Sequence, residues 1–393
     1  MRRRSAPLQR LGTLPVTRFL ERYWQREAIC LRKVFADFAS PIGREGLLHL
    51  AQREDVESRL VTAFGGRWQL RHGPFAKRGL PAARKAGWTL LVQGVDLHDE
   101  ETAGLARRFR FLPDARFDDV MVSLASDRGG VGPHVDQYDV FLLQAQGRRR
   151  WRIATRYDPA LVENVPLRVL KRFRAEQEFI LEPGDLLYLP PGVAHEGVAL
   201  GECMTISIGY RLPMRQALFD TWSDRQARMA ARSAGPAGPQ NVAVDDAIRQ
   251  AVSAPARVPP GMVDAALRAL RRAAPSRIEA RRALLEHLSE PKAGTVFEPP
   301  VRGLDLQVFT RRSRALGITL DLRSRMLYEG KDFALNGELI EPHRLSAKDL
   351  RHLANQRHLT GKALCSMDAE VASGLTAQLH EWYRFGWIHL AVK

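Results

Sequence analysis

The stretch GPHVDQYDV, residues 132–140, lies between two apolar runs, MVSLA (Met121–Ala125) and VFLLQ (Val140–Gln144). Short apolar runs bounded by turn signals such as GGVGP read as β-strands, yet this one carries a histidine and an aspartate two positions apart. On a strand, residues two apart point to the same face, so His134 and Asp136 enter one space together. Burying a charge costs several kcal/mol unless it is paired or binds a metal. Imidazole beside carboxylate suits a divalent first-row metal, which needs at least one more ligand.

The candidate for that ligand is His195, in LEPGDLLYLPPGVAHEGV. There Pro183-Gly184-Asp185 turns the chain into a strand, and Pro190-Pro191-Gly192 stiffens a second turn that delivers the histidine. Two histidines and one carboxylate with open coordination positions match the facial triad of non-haem Fe(II) oxygenases. A second clue is GRRRWRIA, residues 147–154. On a strand Arg149 shares a face with Trp151 and Ile153, while Arg148, Arg150 and Arg152 share the other. If the apolar face is interior, Arg149 is forced inside and needs an anion, which the carboxylate of a 2-oxoglutarate cosubstrate would supply. The hydroxyls of Ser123, Thr205 and Ser207 alternate with apolar residues and are candidates to assist that carboxylate.

Around this centre, β-like runs recur from about residue 65 to 211: WTLLVQGVD, VMVSLA, DVFLLQ, RRWRIA, DLLYLP and MTISIGY. Their spacing predicts an antiparallel sandwich or barrel. Residues 16–60 carry apolar residues at three- and four-residue spacing and read as helix. After Arg211 the strand signal stops. A basic helical stretch follows over 214–232, then a connector, AGPAGPQ (234–240), then helix again over 242–290. The apolar stripe of this last segment needs a partner, either a second copy or the barrel itself. KAGTVFEPP (292–300) is a linker, and the remainder mixes helices with short strands in GITLDLRS and MLYEGKDFALNG, the pattern of a winged-helix module. These boundaries divide the chain into 1–213, 214–292 and 293–393.

The 393 residues contain 60 Lys plus Arg against 44 Asp plus Glu, a formal charge of +16. The excess favours contact with something anionic such as RNA or a ribonucleoprotein, although it equally fits an arginine-rich surface. Three widely spaced cysteines give no disulfide framework or metal knuckle, as expected in a reducing cytosol. No run reaches the length of a membrane span, and a cytoplasmic protein is the expectation.

The runs GPHVDQYDVFLLQAQGRRRWRI, PGDLLYLPPGVAHEG and ISIGYRLP resemble the JmjC-type ribosomal oxygenases, in particular the bacterial branch that hydroxylates an arginine of large-subunit ribosomal protein sixteen. The resemblance covers nearly the whole chain. It implies an α+β multidomain architecture: a double-stranded β-helix (cupin or JmjC-like) barrel, a helical dimerisation segment and a winged-helix-like C-terminal domain. It also implies Fe(II) held by His134, Asp136 and His195, with 2-oxoglutarate and O2 as cosubstrates and succinate and CO2 as products. Arg149 matches the basic residue that holds the distal carboxylate of 2-oxoglutarate. Some relatives carry asparagine at the position of Thr205. If the substrate is an arginine side chain, Asp118, Asp119, Tyr138 and Asp139 are candidates to grip its guanidinium. Two other readings of the residues remain: a metal-dependent barrel enzyme that does not use 2-oxoglutarate, and a ligand-sensing barrel joined to a DNA-binding winged helix.

Overall fold

The structure is a computed structural model that describes residues 6–64, 67–76, 79–82, 84–228, 251–269, 276–340, 347–365 and 369–391. The connector 234–240 and residues 242–250 lie outside the described residues. A short hairpin of β1 (Arg10–Leu11) and β2 (Leu14–Pro15) precedes α1 (Val16–Arg22). The expected long helix over 16–60 does not form. The chain leaves α1 at Tyr23, takes positive φ at Gln25 and Lys33, and places β3 (Ile29–Leu31) on the sheet edge beside residues Leu186–Tyr188. Only α2 (Arg44–Leu50) is helical thereafter, before β4 (Ser58–Phe64) begins. Val16, Phe19 and Leu20 do face the core as a helical spacing requires, but pairing with the sheet overrides local propensity downstream.

The sheet continues with β5 (Arg67–His72), β6 (Trp88–Val92), β7 (Phe117–Ala125), β8 (His134–Val135), β9 (Asp139–Ala154), β10 (Gln177–Leu181), β11 (Leu186–Leu189) and β12 (Ala194–Tyr210). Its order is β3-β11-β9-β12-β7-β6-β4-β5, with β10 on β9 and β8 on β12. The runs DVFLLQ and RRWRIA are one bent strand, β9. Its first half pairs with β11 and its second with β10, while β12 runs antiparallel along both halves. Two long strands shared between two faces produce the double-stranded β-helix. One face buries Phe141, Leu143 and Tyr188 against Phe19, Trp24 and Phe109. The opposite face turns Val140, Leu142, Trp151 and Ile153 into the barrel.

The bend in β9 decides what the barrel contains. Gln144 and Arg149 both point inward although they stand five residues apart, which an unbroken strand of period two forbids. The register between β9 and β12 slips on either side of Met204 and supplies the odd residue. Gly147 sits at the corner with φ +61, and a Cβ there would lie 2.3 Å from the Glu202 carbonyl oxygen, so only glycine fits.

Between β6 and β7 lies α3 (Glu100–Arg107), whose N-terminus is capped by the Asp99 side chain accepting from Thr102 N–H at 2.7 Å. After the barrel come α4 (Arg215–Arg228), α5 (Pro260–Ala269) and α6 (Arg277–Ser289), the last opened by a Ser276–Glu279 capping box. The apolar stripe of α6 is covered within the chain. Ala280, Leu284 and Leu285 join the same core as Leu218 and Trp222 of α4, Met262 and Ala266 of α5, and Leu327 and Ala334 further on. The stripe therefore needs no second copy to be buried.

The C-terminal region holds α7 (Leu306–Leu316), β13 (Ile318–Leu320), β14 (Met326–Glu329), β15 (Asp332–Leu335), β16 (Glu338–Ile340), α8 (Ala347–Gln356), β17 (His358–Leu359), α9 (Gly361–Cys365), α10 (Ala369–Arg384) and β18 (Ile388–Leu390). MLYEGKDFALNG forms the β14–β15 hairpin, extended by β16. The strand in GITLDLRS pairs with β17 and β18 in a separate three-stranded sheet. Phe309, Leu350, Leu353, Leu379 and Trp382 make a second core of their own. Among the described residues no helix is long and apolar enough to cross a membrane.

Candidate active site

The turn GGVGP brings β8 alongside the start of β12, so that His134 pairs directly with His195. Their rings lie 4.2 Å apart between centroids. The Asp136 carboxylate closes the group at 3.9 Å from His134 Nε2 and 3.6 Å from His195 Nε2. One ligand atom from each residue lies within 4.8 Å of the others, which is the spacing of donors around a single ion. The Nδ1 atoms of His134 and His195 each meet a backbone carbonyl, Gly132 at 2.9 Å and Val193 at 3.0 Å. Donation from Nδ1–H leaves the Nε2 lone pairs aimed at the shared space. Burial, with the neighbouring His134, pushes His195 down to about 4, so it is neutral and able to ligate at neutral pH. The residues fit a divalent metal of the Fe(II) type.

These side chains line a cavity of about 690 Å³ that Arg149 also enters. Arg149 is 3% exposed. Its guanidinium donates to Ser123 Oγ at 3.0 Å, Thr205 Oγ1 at 3.5 Å and the Gly197 carbonyl at 3.2 Å, and lies 5.1 Å from the Trp151 ring centroid. Nε is buried with no hydrogen-bond partner. Among the described residues no carboxylate pairs with it, and burial lowers its affinity for the proton. A buried cation with neutral partners and spare donors fits an incoming carboxylate. Ser207 lines the same cavity, and Gln144 accepts from the Thr205 hydroxyl at 3.1 Å. Arg149 is the inward member of the three consecutive arginines, as its shared face with Trp151 implied.

Sequence reasoning missed Gly197, two residues beyond His195. A Cβ there would stand 2.7 Å from Arg149 Nε and 2.7 Å from the Trp151 ring. The glycine is what lets the guanidinium lie against the backbone. The only available signal was a lone glycine inside a strand.

The acidic candidates divide. Asp118 and Tyr138 line the cavity, Asp118 paired with Arg211 Nε at 2.7 Å. Burial, with Asp136 beside it, holds the Tyr138 phenol protonated. Asp119 also lines the cavity but is occupied, accepting from Gln93 Nε2 and Gly94 N–H, both at 2.9 Å, and from Lys292. Asp139 is not at the site. It is fully buried on the other face of β9, bound to Arg116 at 2.8 Å and to the Tyr188 hydroxyl at 2.5 Å. Alternation along the strand sends Tyr138 and Val140 inward and Asp139 with Phe141 outward, so its role is structural.

Behind Asp119, the carboxyl of Asp96 accepts the Val120 N–H at 2.7 Å. Burial and the Asp119 charge push it up to about 7. The unfolded chain ionises near the ordinary value of about 4. The folded state therefore retains a proton that the unfolded state has lost, and stability falls as pH rises from about 4 to about 7. Asp96→Asn keeps the acceptor and removes this decline. Urea unfolding at pH 4 and pH 8 should show the variant gaining about 2–4 kcal/mol on wild type between the two pH values. Parallel pH curves would refute it.

A histidine–carboxylate triad and a buried arginine inside a double-stranded β-helix define a JmjC-type barrel. The sequence matches the JmjC domain family over residues 104–218 and the ROXA-like winged helix family over residues 270–387. It is 44% identical over 209 residues to the ribosomal protein uL16 3-hydroxylase of Escherichia coli (strain K12), covering 52% of this chain and 55% of that protein. It is 35% identical over 207 residues to a probable ribosomal oxygenase of Haemophilus influenzae, covering 51% of each. The aligned stretch thus spans about half the length of these curated relatives. The fold superposes on YcfD, a ribosomal oxygenase from Escherichia coli solved with cobalt and 2-oxoglutarate, with TM-score 0.77 and 33% identity over 96% of this chain and 98% of that one. The chain belongs to the ribosomal oxygenase family.

Proposed function

We propose that this chain is an Fe(II)- and 2-oxoglutarate-dependent protein hydroxylase acting at C3 of an arginine in large-subunit ribosomal protein uL16. The observation that carries the reading is Arg149, a buried guanidinium with no carboxylate partner among the described residues, in the same cavity as the triad. A metal-dependent barrel that made no use of 2-oxoglutarate would have no need of it. His134, Asp136 and His195 would hold the metal and leave coordination positions open. Arg149, helped by Ser123, Thr205 and Ser207, would hold the far carboxylate of the cosubstrate. Iron with 2-oxoglutarate and O2 supplies the oxidising chemistry, giving succinate, CO2 and a hydroxylated side chain. The protein's own part is placement and exclusion of water. Asp118 and Tyr138 would receive the substrate guanidinium, Asp118 exchanging Arg211 for it.

The named relative from Escherichia coli and the superposed YcfD complex support the substrate and the cosubstrate. The same reading includes a three-part chain (1–213, 214–292, 293–393), a homodimer and a cytoplasmic setting, which rest on the family resemblance. Nucleic-acid contact by the winged helix is not required.

The test is anaerobic loading with Fe(II) and 2-oxoglutarate, exposure to air, and mass spectrometry of uL16. A gain of one oxygen with stoichiometric succinate is expected. His134→Ala should lose at least about 10²-fold in metal affinity, the scale set by ligand-orienting contacts alone, and turnover with it. No oxygen gain on any ribosomal protein would overturn the reading.

A further inference from the structure

The wall of the cavity opposite the barrel strands comes from the C-terminal half of the chain. Pro291 ends α6 two residues after Ser289, and Lys292 follows at once, with its ammonium on Asp119. The pair is deep, with 16% of the lysine side chain and 4% of the aspartate side chain exposed. Arg325, just before β14, donates to the backbone carbonyl of Asp118. Two adjacent residues of β7 are thus gripped by two cations from beyond the barrel, one through a side chain and one through the main chain. Both cations line the cavity that holds the triad.

Asp119 cannot itself receive a substrate cation while Lys292, Gln93 and Gly94 occupy it. Its neighbour Asp118 can, because Arg211, whose side chain is 60% exposed, can swing away into solvent. We propose that Lys292 is a positioning residue for the hydroxylation reaction, acting through Asp119 to keep Asp118 ionised and aimed at the substrate guanidinium. The proposal rests on the reading of Asp118 as the substrate-gripping carboxylate.

The electrostatics agree with the geometry. Burial raises the Asp118 carboxyl first, the Asp119 charge raises it further, and Lys292, Arg211 and Arg325 oppose them. The other charged or titratable groups around the pair include Asp96 behind Asp119, the Tyr138 phenol, Arg59, which donates to Gln93 at 3.1 Å, and Glu57, His287 and Glu290 of the same cavity lining. Lys292 thus balances a cluster of three aspartates, two of them buried. Without it Asp118 holds its proton to higher pH, and a protonated Asp118 no longer attracts a guanidinium.

The experiment uses the full chain and a fluorescent uL16 peptide with a single central arginine, its affinity measured by anisotropy from pH 5.5 to 9 with a redox-inactive divalent metal bound. Lys292→Met should weaken the peptide about tenfold more at the acid end of this range than at the alkaline end, the acid limb of the profile moving to higher pH. Lys292→Arg should restore the wild-type profile. In turnover the loss should fall on KM with kcat nearly unchanged, and affinity for 2-oxoglutarate should not move. An equal loss at every pH would mean that Lys292 only props the wall, and overturns the proposal, as does an unchanged profile. Asp118→Asn separates the two readings. If it leaves peptide affinity unchanged, the assignment of Asp118 itself fails. If it weakens binding while Lys292→Met does not, only the role of Lys292 fails.

Discussion

Arg149→Met should abolish binding of 2-oxoglutarate while leaving the protein folded and more stable than wild type. The guanidinium is buried and surrounded by hydroxyls, a carbonyl and the Trp151 ring, with no carboxylate partner among the described residues. Removing one partner of a buried, hydrogen-bonded charge pair costs about 2–5 kcal/mol of binding, so apparent affinity should fall by about 10²-fold or more. Without ligand the same charge carries a desolvation cost that its neutral partners offset only in part, and an apolar replacement of similar length relieves that cost. Thermal unfolding checks both halves. The wild type should gain about 2.7 kcal/mol at 100 times the dissociation constant of 2-oxoglutarate, and the variant should gain nothing while starting from a higher Tm. Arg149→Lys keeps the charge but not the planar fork, so an intermediate loss is expected. A variant that still responds to 2-oxoglutarate would remove Arg149 from the cosubstrate site.

The largest effect on stability should come from Arg116→Ala, far from the chemistry. Arg116 and Asp139 form an ion pair whose side chains are both 0% exposed. Arg116 also donates to the Arg211 carbonyl at 2.7 Å and lies over the Trp24 ring. Deleting one member leaves Asp139 buried without its cation, at a cost of about 3–5 kcal/mol. A fall of that size in urea unfolding is expected, with metal affinity unchanged at temperatures where the variant remains folded. Replacing the pair together, with Arg116→Met and Asp139→Leu, should recover much of the loss, because two matched apolar groups leave no orphaned charge. A loss below about 1 kcal/mol in the single variant would show that water reaches the pair.

The histidine–aspartate triad and the inward face of Arg149 were legible because each depends on a local rule. His134 and Asp136 share a strand face, a proline-stiffened turn delivers His195, and Trp151 marks which arginine turns inward. Asp139 was misread because sequence proximity to the triad does not reveal face. One step along β9 separates the cavity from the buried layer that holds Phe141 and Tyr188. Residues 16–60 kept helical spacing only through α1, because Ile29–Leu31 had a strand edge to complete, and long-range pairing leaves no local trace. The same limit hid Lys292 and Arg325. Both come from segments more than 170 positions beyond the aspartates they hold, in a chain where arginine and lysine are everywhere. For the α6 stripe, the sequence showed that a partner was needed, and only the packed structure named it as this chain itself.

The corner of β9 bears on how such a protein can drift. Since Gln144 and Arg149 both face inward only through the odd residue around Gly147, the count of residues across that corner matters as much as the glycine at its turn. The exposed side chains of Gln146 and Arg148 can be exchanged without consequence for the cavity. Loss of a single codon there would instead exchange inside for outside along the rest of the strand, turning Arg149 out and Arg150 in. Among descendants of this gene, the segment should therefore keep Gly147 and its length while its exposed positions vary.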